Sequence, residues 1–477
     1  MSGAPPLGPA NPGQTTLKLL IVAALFGLMV SLPMLNTPQL EGIDPRVIIT
    51  FGFIALAAYV VGGLFARLGL PQITAYILTG AILGEEAGRL MGLPPALILV
   101  SDDVRSRLEV FNTLAMALVA MMAGGALDLA LLRERARRYA GLLIGQISVV
   151  LVVVVGVVVA VSRLNLGLSI PTLDGLPLNA VLAAALLLGV IGVSLSPAVS
   201  LGITQETRAR GPVAEAVLGV SVLNNVLTVA LFAVVMAVAR GLVAGDGGGG
   251  EGEGLGVSLA VKLGGAVALG ALVAAGVAAW SRLVGSLLLL MVTGLCFAVS
   301  FLASRLGVEP LVTFLVAGFV VRNATSAHEP LRKALDTLSL PVWVVLFVAV
   351  GAGLRLDELS VLWPVALGLF VVRALGIFGG TALGVAIGGG PPTLWRVGWL
   401  GFLPQAGVGI AMAVAIGDDA ALGGLGRHVA ALAVACVTVN AALGPILFRL
   451  ALGLAEELPR AVSPVETAKA TLQAEDE

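Results

Sequence analysis

The stretch Arg67–Gly84 reads RLGLPQITAYILTGAILG, and Arg305–Arg322 reads RLGVEPLVTFLVAGFVVR. Aligned without gaps, the opening Arg, Leu and Gly coincide and Gly80 falls on Gly318. The segments that follow end alike, AGGALDLALL from Ala123 against VGAGLRLDEL from Val350. Two matches in the same order point to an internal repeat. It divides the chain into a first unit over 46–239, a linker and linking helix over 240–282, and a second unit over 283–451.

Composition sets the class. The 477 residues are 58% hydrophobic and 12% charged, with a mean hydropathy of +1.06. Soluble domains carry about 25% charged residues. Apolar runs of roughly 20 residues recur along the chain, each long enough for about 30 Å of hydrocarbon. Alternating ten-residue strands of a barrel are absent. The sequence therefore predicts an all-α polytopic membrane protein in contact with the lipid bilayer. The net charge of −1 says nothing about partners, and no basic arm or basic–aromatic face suggests nucleic acid, so none is expected. Cys296 and Cys436 sit inside apolar runs and read as buried thiols, and His328 and His428 have no second ligand at metal spacing. No cofactor motif is present, and nothing points to an enzyme.

Fourteen candidate spans are read: 17–35, 46–66, 71–90, 109–127, 139–161, 178–203, 212–239, 255–280, 283–303, 308–322, 338–354, 360–387, 394–417 and 428–451. Residues 1–16 are expected to be a disordered tail. The span at 17–35 is an extra helix, with a signal peptide as the alternative, and 452–477 is a short tail. Basic residues alternate in favour of one side, led by RERARR at 133–138 and joined by Arg67, Arg208, Arg210, Arg322 and Arg332, while Asp102, Asp103, Asp357 and Asp418 collect on the other. Short-loop Lys/Arg bias then puts both termini in the cytoplasm of a bacterial-type inner or plasma membrane. GDGGGGEGEGLG at 245–256 lacks the lysine of a phosphate loop and reads as an external linker.

Corresponding helices of the two units are separated by an odd number of spans, so the second unit enters the membrane upside down. Inverted repeats of this kind belong to secondary transporters, with the site near the midplane. The fifth span of each unit is interrupted: GVSLSPAVS carries Ser196 and Pro197, and GFLPQAGVGIA carries Pro404, Gln405 and Gly407. Proline removes an amide donor and clashes one turn back, and open backbone at that depth is tolerated only inside protein or beside a wet cavity. The sixth spans bring Asn224 and Asn225, in SVLNNVLT, and Asn440, in ACVTVNAALGP, to the same depth. Arg373, in ALGLFVVRALGIFGG, is the one basic residue that fits no loop. A cation there costs about 2.5–3.5 kcal/mol on insertion scales, so it must face partners or water. Kinked packing helices and a snorkelling arginine are the plain structural alternatives.

These motifs resemble the monovalent cation/proton antiporter superfamily, the sodium/hydrogen exchanger family, from about residue 46 to 451. LGLPQITAYILTGAILG is similar to its early Leu-Pro…Gly-Tyr helix, with Ala75-Tyr76 at the Gly-Tyr position, and SLSPAVS to its Pro-containing break. VLGVSVLNNVLTV resembles the helix with the paired Asp-Asp or Asn-Asp, and VVRALGIF the later helix with a central basic residue, which puts Arg373 at that position.

The resemblance implies two inverted six-helix repeats with a pair of broken, crossing helices, and a core domain moving against a dimerisation domain in a homodimer. It also implies exchange of Na⁺ or K⁺ for protons. Asn224, Asn225, Ser196, Arg373, Asn440 and Gln405 are the expected ion-binding set, with Pro197, Pro404 and Gly407 shaping the breaks. Asn225 stands where the family has a titrating aspartate. An amide oxygen coordinates a cation but takes no proton near neutral pH. Glu215 is ten residues earlier on the same helix, about 15 Å away. Two other readings therefore stand beside the first: transport of an anion or polar solute using Arg373 and helix amino termini, and a non-transporting sensor with the same fold.

Overall fold

The computed structural model describes residues 45–94, 98–163, 170, 172–244, 252–284, 287–354 and 356–459. The expected tail at 1–16, the span at 17–35, the glycines at 245–251 and residues 460–477 lie outside them.

The described residues form α1 Pro45–Arg67, α2 Gln72–Leu83, α3 Glu85–Leu90, α4 Asp102–Gly125, α5 Leu129–Glu134, α6 Ala136–Arg163, α7 Leu178–Val193, α8 Pro197–Thr207 and α9 Pro212–Ala244. They continue with α10 Gly252–Leu283, α11 Leu288–Leu306, α12 Pro310–Ala324, α13 His328–Ala352, α14 Leu356–Gly388, α15 Thr393–Arg396, α16 Gly407–Gly417 and α17 Gly423–Leu454. No strand occurs among the described residues, only a bridge between Gly84 and Val100. Seven of the helical segments are long and apolar enough to cross a bilayer, among them 178–207 taken through its break. Others, such as α2, α12 and α16, are short and apolar.

Two helices extend past their apolar limits. α4 starts at Asp102 instead of 109, because Ser101 caps it by accepting from the Val104 N–H. α13 starts at His328 instead of 338 and bends by 57° between its polar and apolar halves, near Pro341. Hydropathy registers only the part of a helix that needs lipid or core, so both polar turns were read as loop.

The helices sort into two bundles. In one, α14 packs along α6, α7 lies against α6 and α9, and α17 against α14 and α16. In the other, α13 packs on α2 and α4, and α12 on α4 and α10. α8 touches both, through α9 and α17 on one side and α4 and α2 on the other.

Close helix contacts follow the two aligned segments. A Cβ on Gly80 would fall on the Val348 carbonyl and near the Ala352 amide; one on Gly318 would fall on the Met121 carbonyl and near the Gly125 amide. Likewise a Cβ on Gly351 would meet the Ile77 carbonyl and Ala81 amide, and one on Gly124 the Leu315 carbonyl and Phe319 amide. Both ungapped alignments exchange these partners one for one. Only a glycine lets two backbones approach this closely, the usual device where lipid offers no hydrophobic drive between helices. α6 and α14 meet by the same means, with Gly141 and Gly145 against Gly380, Gly384 and Gly388.

One joint fixes the ends of α4 and α12. Arg322 Nη2 donates to Asp128 Oδ2 at 3.1 Å, and Asn323 Oδ1 accepts from the Leu129 N–H at 2.7 Å. Asp128 also caps α5, accepting from Ala130 and Leu131. The α5 amides and the Arg322 guanidinium hold its carboxyl below the usual carboxylate range.

Candidate functional site

The first break runs over Ser194, Leu195 and Ser196, between α7 and α8. Pro197 starts α8 at a position where no N–H is needed, and Ser196 Oγ caps it by accepting from the Val199 N–H at 3.3 Å. The second break follows a 3₁₀ turn, Gly398–Phe402, and ends where Gly407 opens α16. The breaks cross and bond to each other: the Ser196 N–H donates to the Pro404 carbonyl at 3.1 Å.

A helix that stops inside protein leaves carbonyls without donor partners. At the end of α7 each of three finds a side chain from another element. Gln405 Nε2 donates to the Ile191 carbonyl at 2.7 Å, Arg373 Nε to Gly192 at 2.7 Å, and Asn224 Nδ2 to Val193 at 3.0 Å. Gln405 Nε2 also reaches Ser194 Oγ at 2.9 Å.

Arg373 is 3% exposed and joins both breaks. Besides Gly192, its Nη2 donates to the Ser194 carbonyl at 3.0 Å and to Phe402 at 3.3 Å; Nη1 donates to Leu403 and to Asn440 Oδ1, each at 2.8 Å. Every nitrogen of the guanidinium is engaged, and its charge sits against the negative carbonyl ends of two interrupted helices. Asn440 is held in turn by donating Nδ2 to the Cys436 carbonyl.

Asn225 differs from its neighbour. Asn224 also donates to Thr228 Oγ1 at 3.1 Å, so its amide nitrogen is committed to the protein. Asn225 is 2% exposed, yet its Oδ1 has no hydrogen-bond partner among the described residues. It borders a cavity of about 330 Å³ between the two bundles. Ser196, Pro197 and Ala198 at the start of α8, and Ala406, Gly407 and Val408 at the start of α16, form the cavity floor with Asn225. The first amides of both helices have no acceptor within their own helix. The titratable groups on the cavity wall are Arg105 and Glu109, at the far end of α4. The rest of the lining is mainly apolar, including Met116, Leu311 and Phe347.

The structure thus brings Asn224, Ser196, Arg373, Asn440 and Gln405 together as the fabric of the crossing, and sets Asn225 and Gly407 on the cavity. Thr228 and Ser194 were missed from the sequence; Thr228, one turn after Asn224, was open to discovery by its i, i+4 spacing. Among the described residues no group of three His, Cys, Asp or Glu could hold a metal ion.

No curated protein matches the chain. Among solved structures, the sodium proton antiporter MjNhaP1 from Methanocaldococcus jannaschii at pH 8 superposes with a TM-score of 0.61 at 17% identity, covering 85% of this chain and 98% of that one. An electron-microscopy map of the same antiporter gives 0.60 at 18% identity, covering 88% and 100%. At such identity the likeness speaks for the fold alone. Residues 52–452 match the family described as sodium/hydrogen exchanger, transmembrane. The chain is an integral, multi-pass membrane protein of antiporter fold, and it belongs to the sodium/hydrogen exchanger family.

Proposed function

We propose that the protein is a secondary-active transporter that exchanges a monovalent cation, Na⁺ or K⁺, for protons by alternating access. The bundle of α6, α7, α9, α14, α16 and α17, carrying α8, moves against the bundle of α1, α2, α4 and α10–α13. The two units 46–239 and 283–451, joined by 240–282, are the inverted repeats behind that motion. The observation that carries this reading is Asn225: a buried amide oxygen without a partner, on the floor of a cavity between the bundles. Its oxygen, with the Ser196 hydroxyl of the same cavity lining, offers neutral oxygens to a small cation. Arg105 and Glu109 also line the cavity, and the arginine bias puts their end of α4 outside. A homodimer through the second bundle is what family membership suggests.

One observation favours a second reading. The amino termini of α8 and α16 both meet the floor, where Asn225 supplies no negative charge, a setting suited to an anion or polar solute. Against it, the donors of Arg373 are already bonded to the protein.

Proteoliposomes with an internal pH dye test the proposal. Sodium, potassium or lithium pulses that dissipate a pH gradient support exchange. Flux that follows anion gradients and ignores the cation would transfer the assignment to the second reading. Silence to both would leave a sensor with this fold.

A further inference from the structure

Asn225 takes no proton, so a proton-coupled cycle in this chain needs another carboxylate tied to the bundle motion. Glu206 meets both conditions. It lies at the end of α8, whose first turn lines the cavity, roughly 13 Å further along the helix at 1.5 Å per residue. There the cleft between the bundles is shut. A Cβ on Gly202 would meet the Ile73 side chain, Phe347 packs close by, and Trp343 Nε1 donates to Gln205 Oε1 at 3.3 Å.

Glu206 closes this seal with charge. Its side chain is 15% exposed, and its Oε1 accepts from the Gln72 N–H at 2.8 Å, across the interface onto the amino terminus of α2. Arg449 Nη1, from α17, is 3.7 Å from the same oxygen. Its Oε2 is buried with no hydrogen-bond partner among the described residues, which leaves a seat for a proton. Tyr76 on α2 is the other titratable neighbour; its hydroxyl donates to Gln72 Oε1. No titratable group of α4, α9 or α13 acts on Glu206 among the described residues.

We propose that Glu206 is the proton-binding group of this transporter, and that its protonation opens the closed side of the cleft. The inference rests on the exchange reading above, and moves the proton from the cation site to the gate. As a carboxylate, Glu206 is held by the α2 amides, the α2 dipole and Arg449. Once protonated it loses its attraction to both positive groups. A charged hydrogen bond of this kind is worth about tenfold to a hundredfold in an equilibrium, so a proton there shifts the gate by that factor. Cation and proton then act on one conformational equilibrium without competing for one oxygen. The sign is fixed: the seal holds at high pH on the Glu206 side and releases as that pH falls.

The test is the pH profile of cation flux in proteoliposomes, read for the native chain, Glu206→Gln and Glu206→Asp. Spin labels at the exposed positions Leu68 and Arg208, in a background without Cys296 and Cys436, report the gate. Expected are flux that rises on acidification in the native chain, a flat profile in Glu206→Gln, and a restored profile in Glu206→Asp. The label distance should lengthen on acidification in the native chain and be long at every pH in Glu206→Gln. A native pH profile and a native label response in Glu206→Gln would overturn the proposal while leaving exchange intact. Absence of cation flux in the native chain at every pH would instead remove the exchange reading, and this inference with it.

Discussion

Arg373 Nη1 lies 2.8 Å from Asn440 Oδ1 and 2.8 Å from the Leu403 carbonyl, so one side chain of α14 ties α17 to the second break. Its other two nitrogens reach Gly192 at the end of α7 and Ser194 in the first break. The arginine that fits no loop is a clamp across the crossing, its charge set against the ends of interrupted helices. Arg373→Ala should leave these carbonyls without donors inside the protein and destabilise it, by about 1–3 kcal/mol for each buried acceptor left unsatisfied. Thermal unfolding in detergent micelles checks this. Arg373→Lys, with three donors on a flexible stem, should recover only part of the loss.

Asn225 and Asn224 should separate cleanly on mutation. Asn225→Ala breaks no side-chain hydrogen bond among the described residues, so the melting temperature should stay near the native value while flux is lost. Asn224→Ala strips the donor from the Val193 carbonyl and should cost about 1–3 kcal/mol.

Asn225→Asp adds a carboxylate at the amino termini of α8 and α16, which favour negative charge. Cation affinity in this variant should become pH-dependent, falling about tenfold per pH unit below the new group's pKa. Cation titrations of the purified protein at several pH values would read it. An unchanged, pH-independent affinity would mean that residue 225 does not touch the cation.

The paired glycines predict matched effects in distant parts of the chain. Gly80→Ala and Gly318→Ala should each destabilise by about 1–3 kcal/mol, since each new methyl meets backbone that cannot rotate away. Gly156→Ala, where nothing lies within 4 Å, is the control and should be neutral or stabilising. Unequal costs at Gly80 and Gly318 would contradict the equivalence of the two contacts.

Asp128 gives a pH-dependent contribution of known sign. Its folded-state pKa is lowered by the α5 amides and Arg322, so its stabilisation is fully present above the ordinary carboxylate pKa. That contribution is lost as pH falls through the lowered folded value. Asp128→Asn keeps the helix cap but not the ion pair. The difference in melting temperature between native and variant protein should shrink steadily on acidification below about pH 4.

Much of this architecture was legible in one dimension. Membrane class follows from the length of the apolar runs, because lipid accepts only segments that satisfy their own backbone. Pro197 and Pro404 marked the two breaks, because proline cannot continue a hydrogen-bonded ladder. The alignment of Gly80 with Gly318 marked a repeat, but that these glycines let helices touch at the backbone emerged only from the packing. Asn224, Asn225, Asn440 and Arg373 stood out because uncompensated polar groups are costly at that depth.

The division of labour among those residues was decided only in three dimensions. Asn224 and Asn225 are adjacent, but successive helical positions point about 100° apart, so one caps α7 while the other meets the cavity. In a helix as uniformly apolar as α9, no polar stripe tells which face is which. Glu457 likewise reaches back along the chain to accept from the Val213 and Ala214 amides at 2.7 and 2.8 Å, capping α9. Glu206 is one more acid in the sequence and becomes a seal only because folding delivers the amino terminus of α2 to its carboxylate. Apolar run length and the placement of proline dictate what must be buried and where the helices must stop. Tertiary packing decided which polar group is bonded to the protein and which, like Asn225, is left with an oxygen for something else.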